Sequence, residues 1–167
     1  LGGAPRDEHP LLIVGQRRVV IGGGDMLCPA FELPSLRSVR APEPCEPVDM
    51  IFDDEGQLCL ASGWGELLLW DAGKNRSIGH FQIPATKVAA GHGRVFAGRP
   101  KSVVVWELGN VDRYGSGKVN KKATLRTGAH VDLALVGSRL FVARDDDIGM
   151  WDASTLKKAG SFAAPSG

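Results

Sequence analysis

QLCLASGWGELLLWD, residues Gln57–Asp71, decides the fold. A β-type run, Leu58–Ala61, meets the tight turn Gly63-Trp64-Gly65. A second run, Glu66–Trp70, then ends in Trp-Asp. Two apolar runs this close, separated by glycines, read as a β-hairpin. The same grammar recurs three times. Aligned on an aromatic residue followed by an acid, the chain gives Phe31-Glu32, Trp70-Asp71, Trp106-Glu107 and Trp151-Asp152, spaced by 39, 36 and 45 residues.

Each unit opens on a further strand: Leu11–Val14, Val48–Phe52, Val88–Ala90 and Val131–Val136. The central hairpins are Arg18–Ile21 with Met26–Phe31, Leu58–Ala61 with Glu66–Trp70, Val95–Gly98 with Ser102–Trp106, and Leu140–Ala143 with Ile148–Trp151. A more polar strand closes each unit: Leu36–Arg40, Ser77–Ile83, Ala123–Thr127 and Ala159–Ala163. Four strands in about forty residues is the period of a β-propeller blade. Gly and Pro interrupt every window long enough for an extended helix. The expected fold is all-β, with four-stranded antiparallel blades at approximately 11–41, 48–84, 87–128 and 130–164, after a tail at 1–10.

These repeats resemble WD40 blades, in which Trp-Asp closes the third strand. The resemblance runs from about Leu11 to about Ala163, with Trp-Asp intact at Trp70-Asp71 and Trp151-Asp152 and altered at Trp106-Glu107 and Phe31-Glu32. It implies a buried network of His, Ser, Asp and Trp. The fourth blade offers His130, Asp145 and Trp151 without an obvious Ser; the second has Ser62 and Trp70, with Gly65 and Glu66 in the turn where Asp is usual. The blades are therefore expected to be held mainly by apolar packing. Members of the family commonly have about seven blades, so four imply half a ring. The remainder would come from another segment, a partner or a second copy, because an unclosed propeller leaves two terminal faces uncovered.

Composition narrows the function. The 167 residues are 43% hydrophobic and 23% charged, with 22 Gly and 10 Pro, as suits a folded domain of short strands. A net charge of +1 gives no global case for a nucleic-acid or membrane partner, and no apolar run approaches the ~18 residues that span a bilayer. Three widely spaced cysteines, Cys28, Cys45 and Cys59, are odd in number and argue for reduced thiols and a cytoplasmic or nuclear setting.

The stretches that suggest chemistry have simpler explanations. Gly115-Ser116-Gly117-Lys118 lacks the first Gly of a phosphate loop, has Val119 after the Lys, and precedes no helix. Gly22-Gly23-Gly24 leads into another strand, so it is a hairpin turn rather than a dinucleotide fingerprint. Asp145-Asp146-Asp147 lacks the alternating ligands of a calcium loop; Asp145 is expected to shape the turn and the other two to be solvated. His9, His80, His92 and His130 show no metal spacing, and His92 is read as a turn residue. The sequence points to no catalytic residue, cofactor or metal.

The resemblance implies that partners bind the face built from second-to-third-strand turns and blade connections. The turns are Gly23–Asp25, Gly63–Gly65, Arg99–Lys101 and Arg144–Asp147; the connections are Pro42–Pro47, Pro84–Lys87 and Gly128–His130. Trp64 is of the type that anchors interfaces, and equally of the type that packs between blades. Arg99 and Lys101 beside Asp145 and Asp146 would form a rim of mixed sign. The leading expectation is a non-enzymatic scaffold that recruits proteins into a larger assembly. The alternative is an RNA-associated propeller that uses the basic insertion at 109–126, with Arg113, Lys118, Lys121, Lys122 and Arg126.

Overall fold

The computed structural model describes residues 11–14, 18–22, 29–39, 47–52, 57–62, 65–71, 76–108, 119–129 and 132–163. Among these residues sixteen strands form four antiparallel sheets, each a meander of four strands consecutive in sequence. The first holds Leu11–Val14 (β1), Arg18–Gly22 (β2), Ala30–Glu32 (β3) and Arg37–Val39 (β4). The second holds Pro47–Phe52 (β5), Gln57–Ser62 (β6), Leu67–Asp71 (β7) and Arg76–Phe81 (β8). The third holds Lys87–Gly91 (β9), Arg94–Arg99 (β10), Ser102–Leu108 (β11) and Val119–Arg126 (β12). The fourth holds Asp132–Val136 (β13), Arg139–Ala143 (β14), Asp147–Asp152 (β15) and Lys158–Ala163 (β16). No helix occurs among the described residues. This is a β-propeller fold in a partial ring: β1 adjoins β5, β5 adjoins β9 and β9 adjoins β13, and the ring is not closed.

Register shows why the aromatic-acid pairs mark the repeat. Val19 faces Phe31, Leu58 faces Trp70, Val95 faces Trp106 and Leu140 faces Trp151. At each of the three tryptophans the pairing with the fourth strand slips by one residue, leaving Ile78, Lys122 and Ala159 as the extra residues. A bulge at this point bends the outer strand and re-aims its side chains.

The third sheet is covered on both faces, so its strands read as nearly continuous apolar runs rather than alternating ones. Val88, Ala90, Val95 and Ala97 pack with Leu67, Leu69, Ile83 and Ala85 of the second sheet and its connector. Ala89, Phe96, Val103, Val105 and Leu125 pack with Leu133, Leu140, Val142, Trp151 and Ala153 of the fourth. Trp151 lies over Gly149, where an added Cβ would stand 2.4 Å from the ring. Apolar packing between sheets is thus the main cohesion, as the sequence suggested.

Two expectations change. The basic insertion is shorter than 109–126, because Val119–Arg126 is strand β12, paired with β11. Hydrogen bonding continues past Trp106 to Leu108↔Val119, so both strands are extended together. Asp147 is not simply solvated: it begins β15 and its carboxylate receives the Arg144 guanidinium. The tail 1–10, Cys28, Cys45 and His130 lie outside the described residues.

Candidate interaction face

A repeated arginine device builds the junctions between sheets. Arg99, at the end of β10, donates from Nε to the Pro84 carbonyl at 3.2 Å, and Thr86 N–H donates to the Gly98 carbonyl at 3.0 Å. One sheet later, Arg144 donates to the Thr127 carbonyl at 3.0 Å, and its guanidinium also pairs with Asp147. Pro84 and Thr127 belong to the connectors that enter the third and fourth sheets. Each arginine therefore fastens its own sheet to the chain arriving from the preceding one. Gly65 keeps this arrangement close on the other side of Pro84: with φ +80 it turns tightly, and an added Cβ would stand 3.7 Å from the Pro84 Cβ.

A second pair of arginines serves the aromatic-acid motif. Arg94 faces Glu107 across β10 and β11, at 3.2 Å, and Arg139 faces Asp152 across β14 and β15, at 2.9 Å. Arg94 also crosses to the fourth sheet, donating to the Ser154 carbonyl at 2.8 Å and to the Ala153 carbonyl. His92, in the left-handed region at φ 54, is the expected turn residue and meets the Gly137 carbonyl through Nε2 at 2.9 Å.

Asp152 organises its own turn. Its Oδ1 accepts from Thr155 N–H at 2.8 Å, Thr155 Oγ1 at 3.0 Å and Ser154 N–H at 3.1 Å. Those bonds, Thr155 N–H foremost, hold the carboxyl below its ordinary range. Lys122, at 3.2 Å, and then Arg94 do the same for Glu107. On the inner strands the Asp49 carboxylate accepts Val88 N–H at 2.6 Å, and Lys87 stands 3.7 Å from Asp132. Burial pushes the Asp49 carboxyl up, against the lowering effects of Val88 N–H and Lys87.

The predicted face is only partly as expected. Arg99 is half-buried and committed to Pro84, so of the four rim residues Lys101, Asp145 and Asp146 stand exposed on the equivalent turns of the third and fourth sheets. Exposure of Asp145 removes it from any buried network with Trp151. Trp106 Nε1 is buried with no hydrogen-bond partner among the described residues. Lys121, Lys122 and Arg126 are exposed along β12, with Lys122 at the bulge and bound to Glu107. Trp64, Arg113 and Lys118 lie outside the described residues, as do Gly23–Asp25.

The junction arginines escape a reading of motifs because their acceptors are carbonyls, which leave no mark in sequence. Their signal is positional. Arg94 and Arg139, like Arg99 and Arg144, are 45 residues apart, as Trp106 and Trp151 are.

No known protein-family pattern matches the sequence, and no curated protein matches it. Solved structures do match in fold. U3-55K superposes with TM-score 0.72 at 16% identity, over 98% of this chain and 54% of its own. The computationally designed Ika8 protein gives 0.64 at 17%, over 90% and 48%. The mitotic checkpoint complex gives 0.65 at 14%, over 87% and 47%. The chain spans about half the length of the solved structures it matches.

Proposed function

We propose that this chain is a divergent WD40-like propeller, or part of one, that serves as a non-enzymatic scaffold for protein partners in a cytoplasmic or nuclear assembly. The observation that carries this reading is a division of labour on the connecting face. Arg99, Arg144 and Asp147 are bound into the junctions, while Lys101, Asp145 and Asp146 stand on neighbouring turns as exposed charges of both signs. A rigid frame that presents mixed charge suits discrimination among protein surfaces. Two matched structures, U3-55K and the mitotic checkpoint complex, are of the WD40 propeller type, and the latter is by name a multi-component assembly.

The test compares affinity capture by the wild type and by a Lys101→Glu, Asp145→Lys, Asp146→Lys variant of unchanged circular dichroism. Proteins bound stoichiometrically by the wild type and lost by the variant support the reading. An unchanged set of bound proteins counts against this face.

One observation favours a second reading. Lys121, Lys122 and Arg126 lie exposed on a single outer strand, next to the segment that carries Arg113 and Lys118. A phosphate backbone running along that strand would meet several cations. RNA binding that weakens steeply with salt, and that Lys118, Lys121 and Lys122→Ala abolish, would favour this reading.

A further inference from the structure

The two ends of the row carry halves of the same junction. On the fourth sheet Phe141, Ile148, Met150 and Phe162 occupy the register positions that Phe96, Val103, Val105 and Leu125 hold in the third. In the third sheet these residues are sealed under the fourth: Phe96, Val103 and Val105 are 0% exposed and Leu125 8%. On the fourth sheet the equivalent face has nothing packed on it among the described residues. Phe162 is 50% exposed, packed edge-on against Phe141, and Val136 on the same face is 63% exposed.

The first sheet carries the opposite half. Its turn from Glu32 to Arg37 repeats the turn from Asp152 to Lys158: Leu36 N–H donates to the Glu32 carbonyl and Leu156 N–H to the Asp152 carbonyl, each at 2.8 Å. Both leucines are left-handed, at φ 53 and 60. Leu156 uses that conformation to reach back onto the core between the third and fourth sheets. Leu36, in the same pose, is 64% exposed. The three exposed large hydrophobics among the described residues, Leu36, Val136 and Phe162, thus all lie on the two terminal sheets.

We propose that a second copy of this chain covers both faces. The first sheet of each copy seats on the fourth sheet of the other, and eight sheets close around a two-fold axis. A second copy is the occupant because it presents the elements of the third-to-fourth junction at matching positions. Arg139 stands where Arg94 does, and the turn residues Leu33 and Pro34 stand where Ala153 and Ser154 offer their carbonyls to Arg94. Asp132 occupies the place of Asp49, and Leu12 that of Val88, whose N–H Asp49 accepts. Phe31 takes the position of Trp151. One link has no counterpart, since Gly137 holds the position of His92. One copy covers 47% to 54% of the length of the matched structures, so two copies together approach the length of one of them. The contact is head-to-tail, and such contacts close into rings when the rotation per step permits. The proposal goes beyond the scaffold reading and does not depend on it.

The test is the mass of the native chain by light scattering at micromolar concentrations, expected at twice the 17.8 kDa of one copy. Leu36→Asp and Phe162→Asp, both at exposed positions, should each give a monomer with the wild-type circular dichroism spectrum. An equimolar mixture of the two should regain the dimer, because one of its two junctions is then free of substitution. The mass of the wild type alone keeps the proposal testable if an aspartate variant unfolds. A monomeric wild type overturns the proposal and leaves the faces to further sheets of a longer polypeptide or to another protein. A dimer lost with Phe162→Asp but untouched by Leu36→Asp overturns it in favour of a symmetric pairing of fourth sheets. Failure of the mixture to reassociate overturns it as well.

Discussion

Arg94 of the third sheet reaches across to the fourth, where its guanidinium donates to the Ser154 carbonyl at 2.8 Å while still pairing with Glu107 at 3.2 Å. The acid of the aromatic-acid motif is therefore half of a bracket whose other half spans two sheets. Replacing Arg94 by Ala leaves the turn carbonyls of Ala153 and Ser154 without this charged donor. The expected loss is about 1.5–3 kcal/mol, the range for hydrogen bonds to charged groups. Urea unfolding should show a lower midpoint with an unchanged slope.

Phe96 is 0% exposed and fills the junction between the third and fourth sheets. Phe96→Ala should cost about 3–5 kcal/mol, from lost burial together with the cavity left behind. Chemical denaturation measures it directly, and Phe96→Leu should recover a large part of the loss.

Gly149 is required by Trp151 rather than by backbone conformation. An added Cβ would stand 2.4 and 2.5 Å from two ring carbons of Trp151, which must shift to admit it. Gly149→Ala is expected to destabilise by about 1–3 kcal/mol, the usual cost of overpacking. Near-ultraviolet circular dichroism should register the displaced indole.

The pH dependence divides between two aspartates of opposite sign. Asp152 has its carboxyl lowered from 3.8, first by Thr155 N–H, so the native state binds fewer protons than the unfolded chain. Its contribution is complete above about pH 4 and is lost as pH falls through the lowered value. Asp49 has its carboxyl raised by burial, so stability falls as pH rises from 3.8 through its native value. Asp49→Asn keeps an acceptor for Val88 N–H and removes the charge. It should gain stability relative to the wild type as pH rises from 4 towards 7, whereas Asp152→Asn should lose stability relative to it as pH rises towards 4 and differ from it by a constant amount above that. Urea midpoints across pH 3–8 check both; a constant difference between wild type and Asp49→Asn would contradict the assignment.

The sheets were legible in the sequence because the inner residues are apolar on a period that outlasts individual substitutions. Phe31, Trp70, Trp106 and Trp151 fall opposite Val19, Leu58, Val95 and Leu140, as the repeat predicts. The start of β12 was not legible, because Val119–Lys122 is too polar to announce a strand and is held by pairing with Trp106–Leu108. The role of Arg99 was hidden for a different reason. An arginine in a turn reads as a free charge until the Pro84 carbonyl is brought within 3.2 Å of it by the fold. Leu36 posed the same difficulty in reverse, since an apolar residue in a turn gives no sign of which neighbour it is shaped to meet.

Every strand ladder among the described residues joins strands that follow one another along the chain, from β1–β2 to β15–β16. Backbone pairing is completed within each sheet, and what passes between sheets is side-chain packing together with hydrogen bonds and ion pairs made by side chains such as Arg94, Asp49, His92 and Lys87. A whole sheet of about forty residues can therefore be gained or lost at a connector without severing a single ladder. The number of sheets in such a chain is free to change in steps of one, while the loops between strands vary in length without touching a ladder, as spacings of 39, 36 and 45 residues show.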